Sequence, residues 1–85
     1  MIKAKKSLGQ NFLVDTKILE KIVNCADIEN KTIMEVGPGT GNLTAFILKK
    51  KPKGLFVIEK DNVLVEGLKH KFNKRLNIIN EDILN

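Results

Sequence analysis

The sequence predicts an α/β fold in which three parallel strands alternate with helices and a glycine-rich turn follows the first strand. Three observations support it. Two short apolar stretches, about Thr32 to Val36 and Gly54 to Ile58, read as strands, and the second runs through Leu55, Phe56, Val57 and Ile58 with no polar break. That continuity suits a strand buried on both faces of a parallel sheet. Segments with apolar residues three and four apart lie before, between and after these stretches, as helices would. Finally, the first stretch passes directly into Glu35-Val36-Gly37-Pro38-Gly39-Thr40-Gly41-Asn42-Leu43-Thr44. This is the strand, turn and helix start that receives a nucleotide at the corner of such a sheet.

Taken in order, residues 1–14 carry no period and read as an N-terminal arm leading into one domain over residues 15–85. In the arm, Leu8, Phe12 and Leu13 are apolar anchors beside the amides Gln10 and Asn11. Asp15 is suited to cap a helix running to about Ala26. Ile18, Leu19, Ile22, Val23 and Ala26 fall on one face of it, and Lys17, Glu20, Lys21 and Asn24 on the other. Cys25 reads as a small packing residue, with no base nearby to make it a nucleophile. After a polar connection, Asp27 to Lys31, comes strand one.

The helix after the glycine turn covers about Asn42 to Lys50, with Leu43, Phe46 and Ile47 inward, and Pro52 stops it. Strand two runs into Glu59. Asp61 or Asn62 caps a third helix ending near Phe72, with Val63, Leu64, Leu68 and Phe72 on one face. Gly67 in its middle costs about 1 kcal/mol relative to alanine, which suggests close packing there. His70, flanked by lysines, is expected on the surface. Strand three, about Leu76 to Ile79, precedes Asn80, Glu81 and Asp82. Connections this short favour a three-stranded parallel sheet with the usual crossovers.

The totals bound the possibilities. Eighty-five residues are few for a whole α/β enzyme domain. With 42% hydrophobic and 29% charged residues the chain is globular and not disordered. No apolar run approaches the ~20 residues of a membrane helix. The basic start, Met1-Ile2-Lys3-Ala4-Lys5-Lys6, lacks the apolar core of a signal peptide. One cysteine allows no internal disulfide, so the expectation is a cytoplasmic protein without a membrane partner. The net charge of +5 is clustered at Lys3, Lys5 and Lys6, at Lys49, Lys50, Lys51 and Lys53, and at Lys69, Lys71, Lys74 and Arg75. Such clusters suit either a solvated lysine-rich surface or contact with nucleic acid.

Parallel sheets bind ligands at the C-terminal ends of their strands. Three features fall there: the glycine turn, Glu59 and Asp82. An acid at the end of strand two, about 20 residues past the turn, is placed to accept hydrogen bonds from a ribose diol. Asp82 is open to both a loop-acid and a ligand-contact reading. The ligand could be a dinucleotide or S-adenosylmethionine. Here the spacing is Gly37-x-Gly39-x-Gly41, with Asn42 where a dinucleotide pattern has its third glycine, and Pro38 removes an amide that a pyrophosphate would use. S-adenosylmethionine has no phosphate and carries a positive sulfonium, so the acids Glu35, Glu59 and Asp82 favour it over a nicotinamide cofactor. No metal-ligating cluster is read from the chain.

Four segments resemble a known family. They are Gly9-Gln10-Asn11-Phe12-Leu13, the turn Glu35 to Thr44, Val57-Ile58-Glu59-Lys60-Asp61 and Glu81-Asp82-Ile83-Leu84. Together they are similar to the ribosomal RNA adenine-N6,N6-dimethyltransferases, most of all the small-subunit dimethyladenosine transferases. The related macrolide-resistance enzymes of large-subunit RNA look less similar in the lead-in Lys6-Ser7-Leu8-Gly9-Gln10-Asn11.

The resemblance implies part of a Rossmann-like class I methyltransferase sheet, about three strands with their helices, truncated before strand four. It implies that Asn11 and Leu13, with Gln10 beside them, border S-adenosylmethionine, which replaces the simple-anchor reading of the arm. Gly37, with Gly39 and Glu35 around it, would line the amino-acid end of the cofactor. Glu59 would hold the ribose hydroxyls, Asp82 the adenine amino group, and Ile83 would pack by the ring.

The family's catalytic Asn-Leu-Pro-Tyr motif does not occur in these residues. The expectation is therefore a cofactor-binding part, inactive alone, with no catalytic residue of its own and with small-subunit ribosomal RNA as its partner. In the family strand one is internal, so an unpaired apolar edge that self-associates is expected. The competing class is a non-catalytic RNA-binding or assembly module that retains a cofactor site.

Overall fold

The computed structural model describes residues 15–84, so the expectations at Gln10, Asn11 and Leu13 lie outside the described residues. Asp15 opens α1 (Thr16–Asn24), its Oδ1 accepting the amides of Lys17 at 3.0 Å and Ile18 at 3.4 Å. The helix buries Leu19 and Val23 and leaves Ile22 38% exposed. It ends before Ala26, which is exposed along with Cys25. The packing reading of Cys25 is thus corrected: it caps the helix from the surface. The chain leaves the helix early because Ile28, not Ala26, fills the core. Asn30 then takes a left-handed φ of 61° and its amide reaches Lys51 O at 3.0 Å.

The strands β1 (Thr32–Val36), β2 (Gly54–Ile58) and β3 (Asn77–Ile79) pair in parallel in the order β1-β2-β3. Between them lie α2 (Asn42–Lys49) and α3 (Asn62–Phe72), followed by a tight turn at Asn73–Arg75. The α2 helix stops short of Pro52, at Lys50 and the left-handed Lys51. Leu76 is buried but precedes β3 and does not belong to it.

Register puts Ile33 beside Leu55, and Glu35 beside Val57 and Ile78, on one face of the sheet. Val23 of α1, Ile47 of α2 and Leu68 and Phe72 of α3 join Leu55, Val57, Ile28 and Leu76 in a single core on that face. The opposite face carries Met34, Val36, Phe56 and Ile79, which are 62%, 54%, 36% and 37% exposed. The expectation of β2 buried on both faces therefore fails at Phe56, because all three helices pack on the same side.

Asp61 caps α3, its Oδ1 accepting the amides of Val63 at 2.8 Å and Leu64 at 3.2 Å. The buried stripe is Val65, Leu68 and Phe72, and Val63 is 79% exposed, contrary to expectation. Three consecutive apolar residues make two stripes equally periodic, and tertiary packing chose between them. A Cβ on Gly67 would meet nothing within 4 Å, so no close packing explains that glycine. His70 is exposed as expected. Among the described residues no helix is long and apolar enough to cross a membrane.

Candidate functional site

The turn between β1 and α2 is held by its own backbone and by β2. The Gly37 amide donates to Ile58 O at 2.8 Å, and the Gly41 amide to Pro38 O at 2.9 Å. Gly37, Gly39 and Gly41 have φ of 65°, 60° and 90°, a region that side chains with a Cβ enter at a cost. Their surroundings differ. Among the described residues, a Cβ on Gly37 or Gly39 would meet nothing within 4 Å, whereas one on Gly41 would lie 2.5 Å from Phe72 Cε2 and 3.1 Å from Leu68 Cδ2. Lys71 Nζ donates to Thr40 O at 3.2 Å from the α3 side. One end of the turn is therefore pinned to α3 and the other is open.

Glu59 stands at the end of β2, only 6% exposed. Its Oε1 accepts the Gly39 amide at 3.3 Å and its Oε2 the Asp61 amide at 3.1 Å. The side chain thus joins the glycine turn to the start of α3. Asn80 Nδ2 donates to Glu59 O at 3.0 Å and Lys60 O at 3.3 Å, holding the end of β3 against the end of β2. Asp82, half-buried beyond β3, accepts the Leu84 amide through Oδ1 at 3.0 Å.

A cleft of about 180 Å³ is lined by Val36, Gly37, Ile58, Glu59, Lys60, Glu81, Asp82, Ile83 and Leu84. That is below the ~300–1,000 Å³ of a typical ligand pocket.

Glu35 points to the helix-covered side. Thr44, in the first turn of α2 and fully buried, donates through Oγ1 to Glu35 Oε1 at 2.5 Å. Burial pushes the Glu35 carboxyl up from the ordinary glutamate value, and the bond from Thr44 pulls it part of the way back.

The strand-end residues Gly37, Glu59, Asp82 and Ile83 meet in one cleft, and Gly39 is tied to it through Glu59. Glu35 lies beneath the turn and is not on the cleft wall. Thr44 and Asn80 were missed by the sequence reading. Thr44 shares the inward stripe of Ile47, where a hydroxyl needs a partner, and Glu35 at the end of the preceding strand was the available one.

A parallel α/β sheet with a glycine turn after β1 and acids at the ends of β2 and β3 is a Rossmann-like sheet of the class I methyltransferase kind. The chain belongs to the ribosomal RNA adenine dimethylase family, whose pattern it matches over residues 1–85. It is 63% identical over 83 residues to ribosomal RNA small subunit methyltransferase A of Pelagibacter ubique, covering 98% of this chain and 32% of that protein. It is 56% identical over 81 residues to the protein of that name from Mesomycoplasma hyopneumoniae, covering 94% of this chain and 31% of the other.

Among solved structures, the 23S rRNA methyltransferase ErmE superposes with TM-score 0.74 at 28% identity, over 87% of this chain and 31% of its own. A dimethyladenosine transferase from Plasmodium falciparum does so with TM-score 0.71 at 28% identity, over 84% of this chain and 27% of its own. The chain thus spans about a third of the length of the curated relatives it matches.

Proposed function

We propose that this chain forms the S-adenosylmethionine-binding part of an enzyme that methylates adenine N6 in small-subunit ribosomal RNA. The observation that carries it is the convergence of Gly37, Glu59, Asp82 and Ile83 on one cleft beside the open end of the glycine turn. The residues fit the cofactor on chemical grounds. Absent Cβ atoms at Gly37 and Gly39 leave room for a ligand against the backbone. Carboxylates accept from a ribose diol and an adenine amino group, and Val36, Ile58 and Ile83 give apolar walls for a ring.

In this reading Glu59 receives the ribose hydroxyls, Asp82 the adenine amino group, and Ile83 flanks the ring. Gly37, Gly39 and Glu35 surround the amino-acid end, and by the family resemblance Asn11 and Leu13, with Gln10 beside them, border the cofactor. When bound, S-adenosylmethionine supplies an electrophilic methyl group on sulfur, and the chain's contribution is to hold it in one orientation for an incoming amine. The basic clusters favour an RNA partner, and the reading carries a cytoplasmic location with it.

Calorimetry of the 85-residue chain with S-adenosylhomocysteine tests the reading, with binding in the micromolar range expected. Binding of NADH without S-adenosylhomocysteine would overturn it. Salt-dependent RNA binding that Glu59→Ala leaves unchanged, with no cofactor binding, would favour the non-catalytic module instead. Without an Asn-Leu-Pro-Tyr motif the chain by itself is expected to transfer no methyl group. Self-association through the edge of β1 and the apolar face of Met34, Val36 and Phe56 is also expected. Sedimentation of the chain and of Met34→Lys checks this, and a concentration-independent monomer in the unsubstituted chain would refute it.

A further inference from the structure

Charge is sorted along the strands. Lys31 precedes β1, Lys50, Lys51 and Lys53 precede β2, and Lys74 and Arg75 precede β3, and all are exposed. Parallel pairing gathers these connections at one end of the sheet. The backbone ties two of them together: the Lys53 amide donates to Lys31 O at 2.8 Å and the Asn30 amide to Lys51 O at 3.0 Å. At the other end, Glu35, Glu59, Asp61, Glu81 and Asp82 stand at or just past the ends of the strands. A five-residue strand separates the two ends by roughly 17 Å. The basic connections hold two acids, Asp27 and Glu29, and Asp27 pairs with Lys31 at 3.6 Å. Among the described residues no ion pair involves Lys50, Lys51, Lys53, Lys74 or Arg75.

Lys51 adds a second sign. It lies just past α2 with a left-handed φ of 56°, its amide donating to Leu48 O at 3.1 Å. A helix that ends this way most often has glycine there, because a Cβ is strained. Backbone geometry favours glycine here, and the chain carries a cation. The surface suits phosphates more than bases or lipid. The connections expose no aromatic ring on which a base could stack, and Phe46 nearby is half-buried with Lys49 Nζ 4.7 Å from its ring centre. None of the large apolar side chains exposed among the described residues lies in these connections, so they offer nothing to insert into a bilayer.

We propose that this rim is a phosphate-backbone contact for duplex RNA, set at the end of the sheet opposite the cleft. The choice of RNA rests on the methyltransferase reading above. Lysine ammoniums and the Arg75 guanidinium neutralise phosphates without reading sequence, which suits a helix that flanks the modified base. The acids at one end then receive the cofactor, and the cations at the other hold the RNA.

Fluorescence anisotropy of the 85-residue chain with a short blunt-ended RNA duplex tests this, beside S-adenosylhomocysteine calorimetry on the same samples. Lys50→Gln with Lys53→Gln is expected to lower the slope of log K against log[salt] by about 1.5 and to weaken the duplex roughly thirtyfold at ~0.1 M salt. The same charge removed from α1 and α3, as Lys17→Gln with Lys69→Gln, is expected to weaken it by no more than about threefold. Lys51→Gly separates contact from folding. It relieves the left-handed strain, so the thermal midpoint is expected to rise by about 4 °C while duplex affinity falls about fivefold. S-adenosylhomocysteine affinity is expected to stay unchanged in every variant. Equal weakening by the α1 and α3 pair would reduce the effect to net charge and overturn the proposal. So would an unsubstituted chain that ignores the duplex, including one that binds phosphatidylserine vesicles instead. If the chain bound no S-adenosylhomocysteine yet lost the duplex on Lys50→Gln with Lys53→Gln, the cofactor reading would fall and the rim would stand.

Discussion

The two ends of the glycine turn share a residue type and a left-handed backbone, yet they face opposite surroundings. Gly41 is pressed against Phe72 and Leu68, while among the described residues nothing lies within 4 Å of a Cβ built on Gly37 or Gly39. Positive φ alone explains why all three are glycine. It does not separate the end that builds the fold from the end that leaves room for a ligand. Only the neighbours do that, and they come from α3, far along the chain.

The sharpest way to break this contrast is Gly41→Ala. A Cβ there meets the buried ring of Phe72, and the left-handed backbone adds strain, so a loss of about 3 kcal/mol in urea unfolding is expected. Against the ~5–15 kcal/mol of a typical domain that is a large fraction. A loss below ~1 kcal/mol would mean that Phe72 gives way and that this end is not closed.

Glu59→Ala comes next, because Glu59 belongs to both ends. Removing its carboxylate strips an acceptor from the Gly39 and Asp61 amides, costing about 1–3 kcal/mol. It also removes the group assigned to the ribose, so S-adenosylhomocysteine binding should be lost in calorimetry. Loss of binding with unchanged stability would show that the amide contacts are incidental. Loss of stability with unchanged binding would remove the ribose assignment.

Gly37→Ala should have the smaller effect on folding, about 1 kcal/mol of backbone strain with no clash. Its effect on the cofactor should be the larger one, roughly tenfold or more in the dissociation constant, since the new methyl occupies the open side. Equal destabilisation by Gly37→Ala and Gly41→Ala would erase the distinction between the two ends.

Much of this was legible in the sequence where punctuation is local. Strand β1 runs into Gly37, β2 begins at Gly54 just past Pro52, and α3 starts at the Asp61 cap, and all three spans stand as expected. The meeting of Gly37, Glu59 and Asp82 also followed from strand order, since parallel strands bring their C-terminal ends together. What sequence could not convey depended on non-local choices. Val65 replaced Val63 in the core because packing selects among adjacent apolar residues. Ile28 replaced Ala26 because the chain had to reach β1. Phe56 is uncovered because the helices all pack on the other face of the sheet, a choice with no local sign in the sequence. Thr44 was hidden because a buried hydroxyl is recognisable only once its acceptor is opposite.

The seam between the two ends is the Glu35–Thr44 pair, and its effect is the smallest and the most specific. Burial raises the Glu35 carboxyl above its unfolded value, and Thr44 offsets only part of this. A raised acid binds its proton more tightly when folded. The stability it contributes is present below the ordinary glutamate range and is lost as pH rises through the folded value. At neutral pH the carboxylate is therefore a small liability in the unliganded chain. Glu35→Gln should remove that liability. Its stability relative to the unsubstituted chain should rise from about pH 4 upward and level off once Glu35 is ionised in both states. Thr44→Val should steepen the same trend in the unsubstituted Glu35 background. Urea unfolding at a series of pH values reads all three chains, and parallel profiles would sink the account.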